Sequence, residues 1–521
     1  MAALKTKYFS LKCSQIDNIC VILAASQIEF FMMKYSQIKI NFLFLAALKH
    51  LIMSRYVVGR ALEKEKLDEA LSSQRSELVA VYGRRRIGKT FLIREYYSKN
   101  MLLSFSGLRN GTRPEQLENF MLELGQLTTQ FQNEKPKNWL QAFALLKQYL
   151  KGVKQSKKKK VIFIDEFPWV DSLRSGFLTA FENFWNSYCT TRNDLIVVIC
   201  GSAASYMLKK IIRNRGGLHN RITQKIKLQP FQLKEVKEFF EHKGIHLPEI
   251  EILKIYMAFG GVAEYLEHVQ PGDSSVTAIE RICFQKGGHL EFEFDEVFKS
   301  LFEDGSYHEQ IIQSLEKGPK KGMIRNQILR DQNLSSGGQF SKSMNELIES
   351  GFVEKYEAFH NNRKTTLFRI FDEFCLFHLQ FIDKFKGNCW KQISNKKQYE
   401  IWCGYAFEML CYKHIESIKI ALKCDQINSK NYSWSNKNAQ VDLVINRDDN
   451  TINLCEIKFY NSIFNVDANY ASKLRSKESE FKLDTGTRKG ITTVMISTWG
   501  VQGKHATGLV SKSLTQECLF Y

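Results

Sequence analysis

Proline is scarce in this chain, seven in 521 residues, which leaves out a proline-rich, low-complexity polymer as the bulk of the protein. Acidic residues are also in short supply. Asp and Glu total 55 against 74 Lys and Arg, for a formal net charge of +19. A basic surface attracts polyanions by long-range Coulomb steering, so a phosphate-rich partner is expected. The twelve cysteines are scattered and form no CxxC pair, so neither a zinc ribbon nor a thioredoxin-like site is supported. Reduced thiols in a cytoplasmic protein are expected instead. Long hydrophobic runs are missing as well. The apolar patches at 19–25 and 41–48 are set among Asp17, Glu29, Lys34 and Lys39, and both fall short of the roughly 18 to 20 apolar residues of a membrane span. No membrane association is expected, and the order of a signal peptide is absent. The first domain-like pattern opens at Met53, so residues 1–52 read as an extension, possible upstream sequence outside the fold.

What is present is a globular composition, 44% apolar and 12% aromatic, in a chain long enough for several cores. Leu78-Val79-Ala80-Val81-Tyr82 reads as a buried strand. It runs into Gly83-Arg84-Arg85-Arg86-Ile87-Gly88-Lys89-Thr90 and then into a helical pattern. This is a GxxxxGK[ST] phosphate loop in its strand–loop–helix setting. Its glycines let backbone N–H groups turn toward phosphate, and the helix N-terminus adds a positive dipole end. Lys89 then reaches the β- and γ-phosphates of ATP, and the Thr90 hydroxyl ligates Mg²⁺. A second apolar strand ends in Asp165-Glu166. Asp165 is expected at the Mg²⁺ shell, and Glu166 as the base that polarises the attacking water. A third strand, at 195–202, ends at Ser202, the place of a γ-phosphate sensor at the carboxyl edge of a parallel sheet. The lysine run 157–160 reads as a solvated loop.

These stretches, with Cys200-Gly201-Ser202-Ala203-Ala204-Ser205-Tyr206-Met207 and Gly260-Gly261-Val262-Ala263-Glu264-Tyr265-Leu266, resemble the archaeal-type ATPase family among the AAA+/STAND-related P-loop proteins. The resemblance covers about residues 55–300 and departs from the family at Ala263, where proline is usual. It implies an arginine finger, best matched by Arg221, with Arg213 and Arg215 as alternatives.

From residue 307 to 370 the periodicity changes. Helices are expected over 308–317, 324–331 and 338–350, then strands over 352–356 and 366–370 around a polar loop at 361–364. Three helices and a hairpin read as a winged helix. The third helix carries Lys342, Glu346 and Glu349, so a DNA reader and a packing unit both stay open. Further on, Gly404-Tyr405-Ala406-Phe407-Glu408 opens a helix. Strands at 440–445 and 452–458 flank the turn Asp448-Asp449-Asn450. Alternation puts Asp442, Glu456 and Lys458 on the polar face of a hairpin whose other face is apolar. This resembles the PD-(D/E)xK nuclease fold, with Glu408 as the supporting acid. The resemblance implies that the carboxylates hold Mg²⁺ while Lys458 orients the attacking water.

The fold expected is a multidomain α/β chain. It comprises a P-loop parallel-sheet ATPase core (53–230), a helical lid (231–304), a winged helix with linker helix (305–384) and a restriction-endonuclease-like α/β domain (385–521). The function expected is ATP hydrolysis coupled to DNA binding and Mg²⁺-dependent DNA cleavage, in a possible homo-oligomer. The alternatives are a nucleotide-gated binding switch with an inactive nuclease-like module, and a remodelling ATPase.

Overall fold

The computed structural model describes residues 57–521 apart from 173, 214, 215, 219, 303, 304, 320, 321, 333, 335, 336, 358, 360–365, 386 and 388. The extension 1–52, Arg215 and the loop 361–364 therefore lie outside the described residues.

Five strands, Glu77–Tyr82 (β1), Met101–Ser106 (β2), Lys160–Asp165 (β3), Leu195–Gly201 (β4) and Gln224–Lys227 (β5), pair in parallel in the order β2-β3-β4-β1-β5. β1 and β4 are buried along their whole length. Their apolar runs, 78–82 and 195–200, suit strands covered by helices on both faces. Ala61–Ser72 (α1) and Lys89–Tyr96 (α2) pack on one face. Arg113–Leu127 (α3), Trp139–Gly152 (α4) and Phe177–Ser187 (α5) pack on the other. α3 starts at a capping box of Thr112 and Glu115. α4 starts where the Asn138 side chain accepts the Gln141 N–H at 3.0 Å. Between α4 and α5, Trp139, Phe143, Phe177, Phe181 and Phe184 are buried, each contributing roughly 1.5–3 kcal/mol through area removed from water.

The lysine run is solvated only at its start: Lys157 and Lys158 are exposed, and Lys159 and Lys160 are not. Lys159 is 3% exposed and donates to the carbonyls of Arg75 and, at 2.8 Å, Asn193. Lys160 pairs at 2.5 Å with Asp194, which Arg192 also holds at 2.8 Å. These cations fasten the start of β3 to the turn before β4.

Beyond β5 the chain is helical: Leu233–His242 (α6), Glu249–Phe259 (α7), Glu293–Leu301 (α8), Gly305–Lys317 (α9), Arg325–Asp331 (α10) and Gly338–Glu349 (α11). The antiparallel pair Val353–Glu357 (β6) and Thr366–Ile370 (β7) follows. Glu373–Phe377 (α12) continues into the π turn His378–Ile382. After the short helix Trp390–Ile393, the long helix Lys397–Lys413 (α13) begins well before Gly404, where the sequence reading starts it. Its apolar face already begins at Tyr399, Trp402 and Cys403, which are buried with Ala406, Phe407 and Leu410.

The second sheet comprises Ser429–Ser435 (β8), Gln440–Arg447 (β9), Thr451–Lys458 (β10), Gly490–Ser497 (β11) and Val510–Leu514 (β12), ordered β12-β11-β10-β9-β8. β8, β9 and β10 are antiparallel, while β10, β11 and β12 are parallel. The parallel step needs a crossover, supplied by Ala468–Thr485 (α14). The half-exposed hairpin expected from alternation is not what forms. β10 is the middle strand, buried on both faces along almost its whole length.

One hydrophobic core includes residues from Phe231 to Phe520. His414 is one of its polar seams. Its Nε2 accepts the Leu233 N–H at 3.0 Å, while Nδ1 lies 2.9 Å from the Leu410 carbonyl and donates to it. Burial lowers its pKa to about 4. Between this value and an unfolded value near 6.5, the unfolded chain binds the extra proton, so stability rises with pH. The His414 contribution is complete above about pH 6.5 and falls by about 1.4 kcal/mol per pH unit toward pH 4, about 3 kcal/mol in all. Urea unfolding of wild type and His414→Gln across this window is expected to show a shallower pH slope in the variant. Parallel slopes would contradict the assignment.

Candidate functional site

β1, β4 and β3 are neighbours, so the loops leaving their carboxyl ends meet at one edge of the sheet, where ligands of α/β sheets bind. Gly83, at φ +151°, passes so close to β5's exit that a Cβ would lie 2.3 Å from the Leu228 carbonyl. Gly88 caps α2 at φ +88° with open space where a side chain would be. Lys89 is buried, and its Nζ donates to the Arg84 carbonyl at 2.6 Å. Burial lowers its pKa, opposed by Cys200, Glu166 and Asp165. A buried ammonium bonded to a neutral carbonyl retains donors for anionic oxygens, so the loop fits a polyphosphate. Thr90 Oγ1 donates to Asp165 Oδ2 at 2.7 Å, which places side by side two oxygens suited to a Mg²⁺ shell. Glu166 has left-handed backbone at φ +45°, a strained conformation for this residue type. It accepts the Ser202 hydroxyl at 2.7 Å. Asp165, Glu166 and Ser202 thus converge beside the loop.

The other side chains of the loop have partners elsewhere in the chain. Arg84 is buried, forms an ion pair with Asp372 at the start of α12, and lies 4.7 Å over the Phe352 ring. Arg86, at φ +69°, pairs with Glu293 and, at 3.5 Å, with Glu264. Arg85 lies 5.9 Å over Trp169, and Ile87 is in the core. Asp372 and Glu293 carry no local motif and escaped sequence reasoning.

Arg221 is not brought to this edge. The Thr223 N–H bonds the Leu78 carbonyl and Gln224 pairs with Val79, so Arg221 lies exposed near the amino edge, opposite the phosphate loop of its own chain. Arg213 is nearer. It pairs with Glu349 at 3.4 Å, and both act on Tyr82, whose hydroxyl burial pushes upward.

A second cluster lies at the end of β10. Leu443 stands opposite Cys455, so the next step of this antiparallel register sets Asp442 opposite Glu456, with Lys458 on the same face. Glu456 Oε1 accepts Lys458 Nζ at 2.9 Å and the Tyr470 hydroxyl at 2.8 Å, and Oε2 accepts Lys477 Nζ at 2.5 Å. Asp442 Oδ2 accepts the Ile457 N–H at 2.9 Å. Burial, then Glu456, pushes the Asp442 carboxyl up to about 6. Burial also presses on Glu456, but Lys458 and Lys477 outweigh it and hold that carboxyl below its usual value. Burial pulls Lys458 down, while Glu456 and Asp442 more than offset it, with a smaller contribution from Glu408. Asp442, Glu456, Lys458 and Glu408 therefore share one electrostatic site, and its hard carboxylate oxygens fit a divalent cation. Tyr470 and Lys477 were missed by sequence reasoning. Their spacing, two turns apart on the helix after the acidic strand, is the signal that was available.

Among the described residues, no helix is long and apolar enough to cross a membrane. The chain is 24% identical over 413 residues to an uncharacterized protein of Methanocaldococcus jannaschii, covering 77% of this chain and 87% of that one. Similar solved structures include the Walker-type ATPase of Pyrococcus abyssi, at 18% identity and TM-score 0.47, covering 62% of this chain and 96% of that one. They also include the ORC2 protein of Aeropyrum pernix, at 18% identity and TM-score 0.40, covering 63% and 95%. Residues 57–269 match the family described as an ATPase domain predominantly from Archaea.

Proposed function

We propose that the chain is a cytoplasmic Mg²⁺-dependent ATPase that binds DNA and cleaves it at the C-terminal carboxylate cluster. In the ATPase step Lys89 holds the β- and γ-phosphates, and Thr90 and Asp165 hold the metal. Glu166, oriented by Ser202, takes the proton from water as it attacks the γ-phosphorus and the bond to the bridging oxygen of ADP breaks. Bound Mg²⁺ supplies neutralisation of the developing phosphate charge. Arg221 serves a neighbouring copy's site in a homo-oligomer. The unpaired state of the cysteines among the described residues suits a reducing compartment.

α9, α10, α11 and the β6–β7 pair act as a winged helix used for packing. Glu346 of α11 faces His308 at 3.0 Å and Glu349 faces Arg213, which leaves little basic surface for a groove. DNA contact falls instead to the last sheet. Tyr460 and Trp499, 51% and 43% exposed, follow the ends of β10 and β11, where the Tyr460 N–H bonds Thr498 Oγ1 at 2.9 Å. Exposed aromatic faces in a basic protein suit base stacking.

The observation that carries cleavage is the meeting of Asp442, Glu456 and Lys458 at one strand end. A divalent ion held there supplies a Lewis acid, while Lys458 orients water. Supercoiled plasmid and linear duplex are incubated with Mg²⁺ or Mn²⁺, with and without ATP. Metal-dependent nicking is expected, and Asp442→Asn is expected to reduce it to background while leaving ATP hydrolysis intact. Cleavage that persists in Asp442→Asn overturns the assignment. The second reading, a nucleotide-gated switch with an inert module, is favoured by the three donors already on Glu456. Absence of cleavage with every metal selects it.

A further inference from the structure

Beside the phosphate loop, three side chains with metal-ligating atoms from residues 264–289 meet. Glu264 belongs to the short helix Ala263–Glu267 and His268 is that helix's C-cap, so the two stand one turn apart on the same side. His289 comes from the loop after the π turn Glu280–Phe284. That loop is held in place. The Gly287 N–H donates to Glu291 at 2.8 Å, the Gly288 N–H to the Gln285 carbonyl at 2.8 Å and the Leu290 N–H to the Ile282 carbonyl at 3.0 Å. Arg281 holds the His268 carbonyl at 2.9 Å and is itself paired with Asp273.

The result is a compact donor set. His289 Nε2 lies 2.6 Å and His268 Nε2 3.9 Å from the same Glu264 Oε1. The ligating atoms of all three residues lie within 4.8 Å of one another. Tetrahedral ligands about 2.0–2.1 Å from zinc stand about 3.3 Å apart, between the two carboxylate distances, so small side-chain rotations bring all three into range. The imidazole ring centroids are only 3.5 Å apart. Two protonated rings at that separation repel, whereas two neutral rings each present a lone pair. Two imidazoles and one carboxylate suit zinc, and suit magnesium or calcium poorly, since those favour oxygen-only sets.

We propose that Glu264, His268 and His289 form a zinc site with three protein ligands and a fourth position open to solvent. Each side chain is about one-third exposed, at 34%, 32% and 40%, so a metal ion has an entry path. The site adjoins the phosphate loop, since the Glu264 N–H donates to the Arg86 carbonyl at 3.1 Å.

The test uses the tag-free full chain, stripped with chelator and titrated with Co²⁺ as a spectroscopic probe, then with competing Zn²⁺. One equivalent of Co²⁺ with a tetrahedral ligand-field spectrum, displaced by Zn²⁺, is expected. His268→Ala and His289→Ala are each expected to weaken Co²⁺ binding by at least about tenfold, with unchanged far-ultraviolet circular dichroism and nucleotide binding. His268→Gln and His289→Gln serve if alanine unfolds this segment. The proposal is overturned by the absence of saturable Co²⁺ binding, by a thiolate charge-transfer band that places the ion on cysteine, or by binding that the histidine variants retain at full strength.

Discussion

Asp372→Ala is expected to lower the free energy of unfolding by about 3–5 kcal/mol, the range for removing one partner of a buried ion pair. Arg84 and Asp372 are 5% and 2% exposed. Their pairing joins the phosphate loop to the start of α12 across 288 residues of sequence. Burial presses the Asp372 carboxyl upward, but Arg84 and Lys413 outweigh it and hold it below the usual range. Asp372 also accepts the Cys375 N–H at 2.8 Å, so the same substitution removes the cap of α12, worth about 1 kcal/mol. The alanine variant leaves a guanidinium in the core whose Nε already has no hydrogen-bond partner. Pairing Asp372→Leu with Arg84→Met is expected to recover much of the loss, because the uncompensated charge goes with its partner. Equilibrium urea unfolding of the single and double variants measures both effects. A single-variant loss under about 1 kcal/mol, the scale of the cap alone, would sink the account.

Glu166→Gln is expected to reduce kcat for ATP hydrolysis by about 10²–10⁴-fold, equivalent to about 3–5 kcal/mol of barrier, while nucleotide still binds. Glutamine preserves the shape of the side chain, and its amide oxygen accepts the Ser202 hydroxyl that Glu166 accepts now. Only the proton acceptor is removed. Lys89→Ala makes the contrast, since it deletes the buried ammonium and is expected to abolish nucleotide binding itself. Single-turnover hydrolysis with a parallel fluorescent-nucleotide titration separates the two. A Glu166→Gln rate within about threefold of wild type would assign the base elsewhere.

Much of the nucleotide site was legible because its parts are contiguous. The loop from Gly83 to Thr90 sits between a strand and a helix that each announce themselves by periodicity. The places of Asp165 and Ser202 follow from apolar strands that end where polarity begins. Strand parity likewise put Asp442, Glu456 and Lys458 on one face. The same parity misjudged that face's surroundings, because alternation is silent about a helix such as α14, whose Tyr470, Lys477 and Phe481 cover it, and about β11, which puts β10 in the middle of a sheet. Arg221 shows a further limit. Its motif context is local, but whether it lies at the carboxyl or amino edge depends on how β5 registers against β1. The lysines at 159 and 160 looked solvated because Asn193 and Asp194, their partners, enter from another strand's approach.

By itself, the sequence determined a phosphate-binding loop, an acidic strand end beside it, a helical middle and a second acidic strand near the carboxyl terminus. Spacing along the covalent chain dictates each of these, and a short window contains the whole signal. Only the tertiary structure decided that Arg84 belongs to Asp372, that Tyr470 and Lys477 turn onto Glu456, and that His268 and His289 meet one carboxylate. Those meetings are set by the core that includes residues from Phe231 to Phe520, by the smaller clusters around Leu454 and Leu474, and by the sheet edge. Side chains far apart in sequence are held at contact distance by the burial of residues between them, which no local pattern records.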